Sequence, residues 1–515
     1  MSVAELSNHA LNTSAIVAVV GTGAMGAGIA QVAAAAGHVV KLLDTRPEAA
    51  AKAAAGIRAQ FGKLVEKGRM AADAAEAAGA RLCPVERLED LADAALVVEA
   101  IVERLEAKQT LYRDLESIVG ADCIFGTNTS SISVTAIGSA LSRPERLAGL
   151  HFFNPAPLMA LVEIVSGLAT DKAVADTLFA TAAAWGKTPV HTRSTPGFIV
   201  NRVARPYYGE AMRIATEGAA DVATIDAVMR EAGGFKMGPF ELTDMIGHDV
   251  NFAVSRSVWN AYYNDPRFQP SLIQQELVDA GFFGRKSGRG FYDYREGAER
   301  PAPKTCVAQP APADIVLHGR TAAVEAIADR LFEHGVAYTW GEAEDGRIAE
   351  VGDAVIFVTD GRTATQRAAE TGIANTVLID LALDYTKATR LAVSVAHSCW
   401  APAAASATGL LQAAGFAVSR FGDVPGLAVM RTVAMLANEA ADAVNQGVCD
   451  ARGADSAMQL GVNYPKGPLA WADAVGVATI CQVLRHLGDF YGDPRYRVSP
   501  LIQQSVFAGK GIHDY

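Results

Sequence analysis

Residues 15–20, Ala-Ile-Val-Ala-Val-Val, form an unbroken apolar run that ends at Gly21-Thr22-Gly23. A short run of this kind suits a strand buried on both faces, as in a parallel sheet. An alanine-rich stretch over residues 24–36 then fits a helix stopped by Gly37, and residues 38–44 read as a second strand. The chain therefore opens with a β-α-β unit. Further apolar runs at residues 95–98, 123–125 and 147–153 alternate with helical patterns and predict a doubly wound α/β sheet ending near residue 192.

From Thr195 the pattern changes. Pro196-Gly197 makes a turn, and Ala/Glu/Arg-rich stretches read as helices until about residue 294. Residues 295–313 hold several prolines and few large apolar side chains, the composition of a linker. Beyond it, residues 314–317, 353–358 and 376–380 are strand-like again, interleaved with helical patterns, and predict a second α/β unit. The last segment repeats an earlier one at a constant offset of 229 residues: Pro196-Gly197 recurs at Pro425-Gly426, Glu210 at Glu439, Asp226 at Asp455, Gly238-Pro239 at Gly467-Pro468 and Asp244 at Asp473. Leu272-Ile-Gln-Gln returns near the end as Leu501-Ile-Gln-Gln. The helical segment is duplicated.

Composition narrows the class. Half of the 515 residues are hydrophobic and 20% are charged, as in ordinary globular cores. A net charge of −11, with no Lys/Arg run, argues against nucleic-acid binding. The six cysteines lie far apart without a C-x-x-C, which suggests reduced thiols in a cytoplasmic protein, and no metal is expected. The N-terminus has neither a basic n-region nor a signal-like apolar core. Residues 6–40 lack Asp, Glu, Lys and Arg, yet glycines, a Gln and a His interrupt them, so no membrane helix is expected.

Gly21-Thr-Gly23-Ala24-Met25-Gly26 is a G-x-G-x-x-G placed between a buried strand and a helix, with Asp44 closing the next strand 18 residues after Gly26. The first glycine permits the tight turn, the second lets a pyrophosphate approach the backbone, and the third lets helix and strand pack closely. Asp44 accepts hydrogen bonds from ribose hydroxyls and repels a 2′-phosphate, which favours NAD over NADP, although Arg46 stands nearby.

Several longer motifs strongly resemble the 3-hydroxyacyl-CoA dehydrogenase family: Thr127-Asn-Thr-Ser-Ser, His151-Phe-Phe-Asn-Pro-Ala-Pro, Thr195-Pro-Gly-Phe-Ile-Val-Asn-Arg, Gly238-Pro-Phe-Glu-Leu and Lys286-Ser-Gly-Arg-Gly-Phe-Tyr. The resemblance runs nearly continuously over residues 15–294. It implies an NAD-binding Rossmann domain (1–193), a helical domain (194–294), a linker (295–313), a degenerate α/β domain (314–424) and a second helical copy (425–515). The whole layout resembles the long bacterial form found with phenylacetate degradation, where the expected substrate is 3-hydroxyadipyl-CoA.

The reaction requires a base for the 3-hydroxyl proton while hydride leaves C3. A histidine does this near neutral pH, especially with a carboxylate to fix its tautomer. His151 matches the family's base and Glu163 its carboxylate partner, while Ser130 and Asn201 match groups that bind the reacting oxygen. Glu103, Lys108 and Asn154 match positions on the nicotinamide side, and Lys286 matches a lysine near the cofactor. An ordinary helix ion pair is the competing reading of Glu103 and Lys108. Lys63 and Lys67 fall where the family places a coenzyme A phosphate contact, with loose spacing.

In the second helical copy Met430 replaces Asn201, and the second α/β unit has neither G-x-G-x-x-G nor His-Phe-Phe-Asn, so one active site per chain is expected. The resemblance leaves a homodimer open, with the second copy as an internal stand-in for the family's dimer contact. Arg205, four residues after Asn201, is a candidate partner for the distal carboxylate of a 3-hydroxyadipyl chain. Rival readings are a 3-hydroxybutyryl-CoA dehydrogenase, a β-hydroxyacid or sugar-nucleotide dehydrogenase, and a non-catalytic crystallin-like protein. A multifunctional β-oxidation protein is disfavoured because no hydratase-sized segment precedes the nucleotide motif.

Overall fold

The computed structural model describes residues 9–514. The expectation about the extreme N-terminus therefore falls largely on residues outside that range. The chain divides into two compact units, one containing residues up to 202 together with 446–462, the other residues 203–445 and 463 onward. Among the described residues no helix is long and apolar enough to cross a membrane.

In the first unit, eight strands form one sheet: β1 (Val17–Val20), β2 (Val40–Leu43), β3 (Leu82–Pro84), β4 (Leu96–Glu99), β5 (Ile124–Thr127), β6 (Leu147–Phe152), β7 (Leu161–Ser166) and β8 (Thr188–Arg193). Their order is β3-β2-β1-β4-β5-β6-β7-β8, so the winding reverses between β1 and β4. In such sheets ligands bind outside the carboxyl ends of the strands at this reversal. β1 is buried throughout because both of its faces are covered, and the apolar clusters on the two faces separate its alternate residues, Val17 and Val19 from Ala18 and Val20.

The apolar runs foresaw β1, β2, β4, β5 and β6 to within a few residues. They did not foresee β3, three residues ending in a proline, and they left β7 undrawn because its glutamate breaks the apolar run. β7 is antiparallel to β6, and this pairing sets His151 directly opposite Glu163.

The second unit holds a smaller-scale repeat of the same idea. β9 (Ile315–His318), β10 (Thr339–Gly341), β11 (Arg347–Val351), β12 (Ala354–Val358), β13 (Thr376–Ile379), β14 (Arg390–Val395) and β15 (Ala417–Arg420) form a sheet ordered β10-β9-β11-β12-β13-β14-β15. Its last four strands pair parallel, antiparallel, parallel, the same sequence of senses as β5 to β8. Residues 295–313 form no helix or strand, yet they are strapped down. The Lys304 N–H donates to Thr224 Oγ1, and the Cys306 N–H to the Val418 carbonyl.

The register carries the 229-residue repeat into the sheets. Glu163 pairs with Val190, and Ala392 with Ser419, each residue standing 229 positions after its counterpart. Asp380 continues β13 opposite Ala392, its N–H donating to the Ala392 carbonyl at 3.0 Å, so it occupies the station of His151. The second half therefore has Asp for His151, Ala for Glu163 and Met for Asn201. Asp380 accepts the N–H groups of Ala428, Val429 and Met430 at 2.9, 2.7 and 3.0 Å. Burial raises its carboxyl to about 6 against the pull of these donors. One carboxylate thus caps the following helix (Val429–Asn445) directly, and no imidazole stands in the arrangement.

Candidate active site

The catalytic geometry grows from the turn that follows β8. Gly197 and Phe198 both adopt positive φ, 76° and 47°, and the repeat reproduces this at Gly426 and Leu427 with 73° and 53°. A non-glycine residue in this region is uncommon and persists only where its surroundings enforce it. Here the turn aims the N–H groups of Ile199 and Val200 at Glu163 Oε1, each at 3.0 Å. The other oxygen, Oε2, lies 2.7 Å from His151 Nδ1. With both backbone donors on Oε1, Oε2 is placed to accept the Nδ1–H, the tautomer that leaves Nε2 with its lone pair free. Glu163 is fully buried and His151 is 5% exposed. The rings of Phe153 and Phe198 flank the imidazole at 4.6 and 5.7 Å between centroids.

His151 lines a cavity of about 360 Å³ together with Met25, Glu103, Lys108, Ser130, Asn154 and Asn201. Seven of the residues singled out in the sequence thus meet in one place within the first unit. Asn201 is the second residue of the helix Val200–Val203, the helix that Glu163 caps.

The pair Glu103–Lys108 is no ordinary surface ion pair. Lys108 is 1% exposed, and its Nζ sits 2.5 Å from Glu99 Oε1 and 3.2 Å from Glu103 Oε2. Glu99 ends β4 and also accepts the Thr127 hydroxyl at 2.7 Å and the Ile101 N–H at 2.8 Å. Glu103 Oε1 gathers the Thr129 hydroxyl at 2.6 Å and the N–H groups of Ser130 and Ser131 at 3.0 and 3.2 Å, which fixes the loop carrying Ser130. Burial works against ionising Glu103, but the Lys108 charge and the hydroxyls of Thr129 and Ser131, the latter 3.0 Å from Oε1, outweigh it and hold its carboxyl below the usual range.

Two contributors escaped the sequence reading. Glu99 was hidden at the end of an apolar run, although a carboxylate at the carboxyl end of a parallel strand is itself a signal. Asn128, whose Oδ1 accepts the Phe152 N–H at 2.9 Å, lay inside a motif read for its serines.

At the glycine turn the three glycines differ in what they accommodate. A Cβ on Gly21 would come 2.5 Å from the Ala100 carbonyl oxygen, and one on Gly26 would come 1.8 Å from that of Gly21. A Cβ on Gly23 would meet nothing within 4 Å. Gly21 and Gly26 are therefore explained by the protein's own packing, whereas Gly23 leaves open a space that a phosphate can fill. Gly23 and Ala24 line a neighbouring cavity of about 790 Å³. Asp44 Oδ2 receives the Thr22 N–H and hydroxyl, both at 2.8 Å. The Arg46 guanidinium beside Asp44 holds its carboxyl well below the usual range. This donor set fits NAD.

Lys286 and Arg205 belong to the second unit. Lys286 pairs with Asp249 there at 2.5 Å. Arg205 is 8% exposed, donates to Ser255 Oγ at 3.0 Å and lies over the Tyr208 ring.

Three family models match the chain. The 3-hydroxyacyl-CoA dehydrogenase NAD binding domain matches residues 16–195, and the C-terminal domain of the same family matches twice, at 197–294 and 426–511. The reduced Rossmann-fold domain of 3-hydroxybutyryl-CoA dehydrogenase matches residues 356–425. The chain belongs to the 3-hydroxyacyl-CoA dehydrogenase family, whose members oxidise 3-hydroxyacyl-CoA with NAD as cofactor. It is 44% identical over 497 residues to 3-hydroxyadipyl-CoA dehydrogenase of Escherichia coli (strain K12), covering 96% of this chain and 98% of that one. A crystal structure of 3-hydroxybutyryl-CoA dehydrogenase from Escherichia coli K12 superposes with a TM-score of 0.88 at 43% identity, covering 97% of this chain and 99% of that one. A probable 3-hydroxybutyryl-CoA dehydrogenase of Deinococcus radiodurans is 41% identical over 276 residues, 54% of this chain and 99% of its own length.

Lys108 is expected to be structural as well as functional. Lys108→Met leaves Glu99 buried without a cation and should cost about 3–5 kcal/mol in urea unfolding. Adding Glu99→Gln should restore much of that loss. Equal stability of wild type and Lys108→Met would contradict the buried pair.

Proposed function

We propose that this protein oxidises (S)-3-hydroxyadipyl-CoA to the 3-oxo thioester, with His151 as base and Glu163 as its orienting partner. The observation that carries the mechanism is the chain of hydrogen bonds from Ile199 and Val200 through Glu163 to His151 Nδ1. His151 Nε2 takes the proton of the 3-hydroxyl, and Glu163 stabilises the imidazolium that forms. Ser130 and Asn201, which line the same cavity, hold the reacting oxygen. NAD, when bound, supplies the acceptor for the hydride leaving C3. Gly21, Gly23, Ala24, Met25, Gly26 and Asp44 bind its adenosine and pyrophosphate half. Glu103, Lys108 and Asn154 serve the nicotinamide half, and Lys286 completes the cofactor set.

The choice of a dicarboxylyl chain draws support from the full-length similarity to the Escherichia coli enzyme of that name. Arg205 is the residue we assign to the distal carboxylate. Its guanidinium is buried, burial lowers its affinity for the proton, and its Nε has no hydrogen-bond partner among the described residues. A buried cation in that condition gains strongly from an anionic ligand. The second reading, 3-hydroxybutyryl-CoA, draws on the name of the superposed crystal structure. Intact dyad geometry speaks against a crystallin-like role. We place the enzyme in the cytoplasm, consistent with six free cysteines.

Turnover with 3-hydroxyadipyl-CoA and with 3-hydroxybutyryl-CoA, followed as NADH absorbance, tests this reading. NAD-dependent activity should favour the dicarboxylyl substrate, fall at least about 10³-fold in His151→Ala, and lose its substrate preference in Arg205→Leu. Equal use of both substrates, or a preference untouched by Arg205→Leu, would remove the assignment of the acyl chain.

The second helical copy serves, in our reading, as the chain's own partner. In the second unit Arg431 donates to Glu210 at 2.8 Å and to Glu217 at 3.2 Å, and Arg267 pairs with Glu439 at 3.4 Å. In the first unit Arg202 donates to Gln446 at 2.9 Å. At the 229-residue offset Arg202–Gln446 and Arg431–Glu217 are one contact with the copies exchanged, the signature of a two-fold interface. A single chain should therefore be sufficient in solution, with a mass of 53.9 kDa by light scattering. A dimer that survives dilution would contradict this.

A further inference from the structure

Asp44 is saturated. Its Oδ1 accepts the N–H and Nε–H of Arg46, both at 3.0 Å. Its Oδ2 accepts the Thr22 N–H, the Thr22 hydroxyl and Arg46 Nη2, at 2.8, 2.8 and 3.0 Å. An ionised carboxylate offers about four lone-pair sites. While the Arg46 fork is closed, none is left for a ribose hydroxyl, so adenosine can reach Asp44 only after the guanidinium has swung away. The two partners are unequally placed for that movement: the Asp44 side chain is 6% exposed and that of Arg46 is 67% exposed. An ion pair with one partner in water is weakly held, and hydroxyl groups can displace it.

The displaced guanidinium stays at the mouth of the site. Arg46 lines the cavity of about 790 Å³ together with Thr22, Gly23 and Lys52. Lys52 is loosely paired with Glu48 at 3.9 Å, both side chains being exposed. With Asp44 ionised, the four charges Asp44, Arg46, Glu48 and Lys52 cancel. Without Asp44 they leave one net positive charge beside the ribose position, carried by a planar group suited to bidentate binding of phosphate.

We propose that Arg46 is a masked receptor for a ribose 2′-phosphate, and that Asp44 sets the preference for NAD by holding this guanidinium as well as by repelling the phosphate. The inference rests on the reading that Asp44 receives the adenosine ribose. It assigns cofactor choice to a pair of residues, one of which the glycine-turn motif does not include. Removing Asp44 then creates a site for NADP, where loss of a lone carboxylate would merely weaken NAD.

Calorimetry with two adenosine fragments separates the possibilities without requiring turnover. Wild type should bind ADP and discriminate against adenosine 2′,5′-bisphosphate by about tenfold or more. Asp44→Ser should gain at least about tenfold for the bisphosphate, and Asp44→Ser/Arg46→Gln should lose that gain. The kcat/KM for NADP should move in the same direction. Equal bisphosphate binding by the single and double variants would overturn the role of Arg46. Arg46→Gln alone gives a second check in an otherwise native site: ADP should bind at least as tightly, because Asp44 is unmasked. Weakening of ADP by Arg46→Gln would contradict the masking. A wild type that binds the bisphosphate as tightly as ADP would instead refute the underlying reading of Asp44.

Discussion

The carboxylate of Glu163 performs two tasks with its two oxygens, and the active site depends on both being done at once. Oε1 closes the amino end of the helix that carries Asn201, and Oε2 holds the Nδ1–H of His151. Because the group is wholly buried, neither set of donors has water to fall back on. The positive-φ turn at Gly197-Phe198, the antiparallel pairing of β6 with β7 and the aromatic walls around the imidazole all serve to bring these donors to one carboxylate. Pre-organisation of the His151 imidazole is thus a property of the fold rather than of one side chain.

The second half of the chain shows what the same framework does when chemistry is withdrawn. Its turn keeps the two positive-φ residues, and its strands keep their senses and register. The helix still needs a carboxylate at its amino end, and Asp380 meets that need from the station that His151 occupies in the first half. A shorter acid on the neighbouring strand reaches the helix directly, so an acid at the station of His151 takes over the capping done by Glu163 in the first half, and Ala392 stands where that glutamate would be. The cap is the invariant requirement and the base is the removable part. That order of priority explains how a duplicated framework stays folded after its catalytic residues are gone.

Much of this was legible in the sequence. The glycine turn, the strands β1, β2 and β4 to β6 and the helical duplication follow from apolar runs, glycine punctuation and motif spacing, whereas most of the residues that line the cavity around His151 came from the resemblance to the family. The misses have physical causes. Strands β3, β10 and β11 are too short or too polar for periodicity to mark, and β7 hides its pattern behind Glu163. Glu99 was passed over because it closes an apolar run, and its burial shows only through its partners, Lys108 and Thr127. The replacement of His151 by Asp380 is plain at the 229-residue offset, yet it acquires meaning only when the hydrogen bonds to Ala428, Val429 and Met430 are seen.

Glu163→Gln puts the central claim to its most direct test. A glutamine offers one carbonyl oxygen and one NH2, so it cannot accept from the backbone pair and from His151 Nδ1 together. Either one contact breaks or the NH2 donates to Nδ1 and fixes the opposite tautomer, with the proton on Nε2; in both cases the imidazole loses the tautomer that leaves Nε2 able to accept. In Glu163→Gln kcat should fall by about 10²–10⁴-fold while the affinity for NAD, measured by fluorescence, stays close to that of wild type. A kcat within a few-fold of wild type would contradict it.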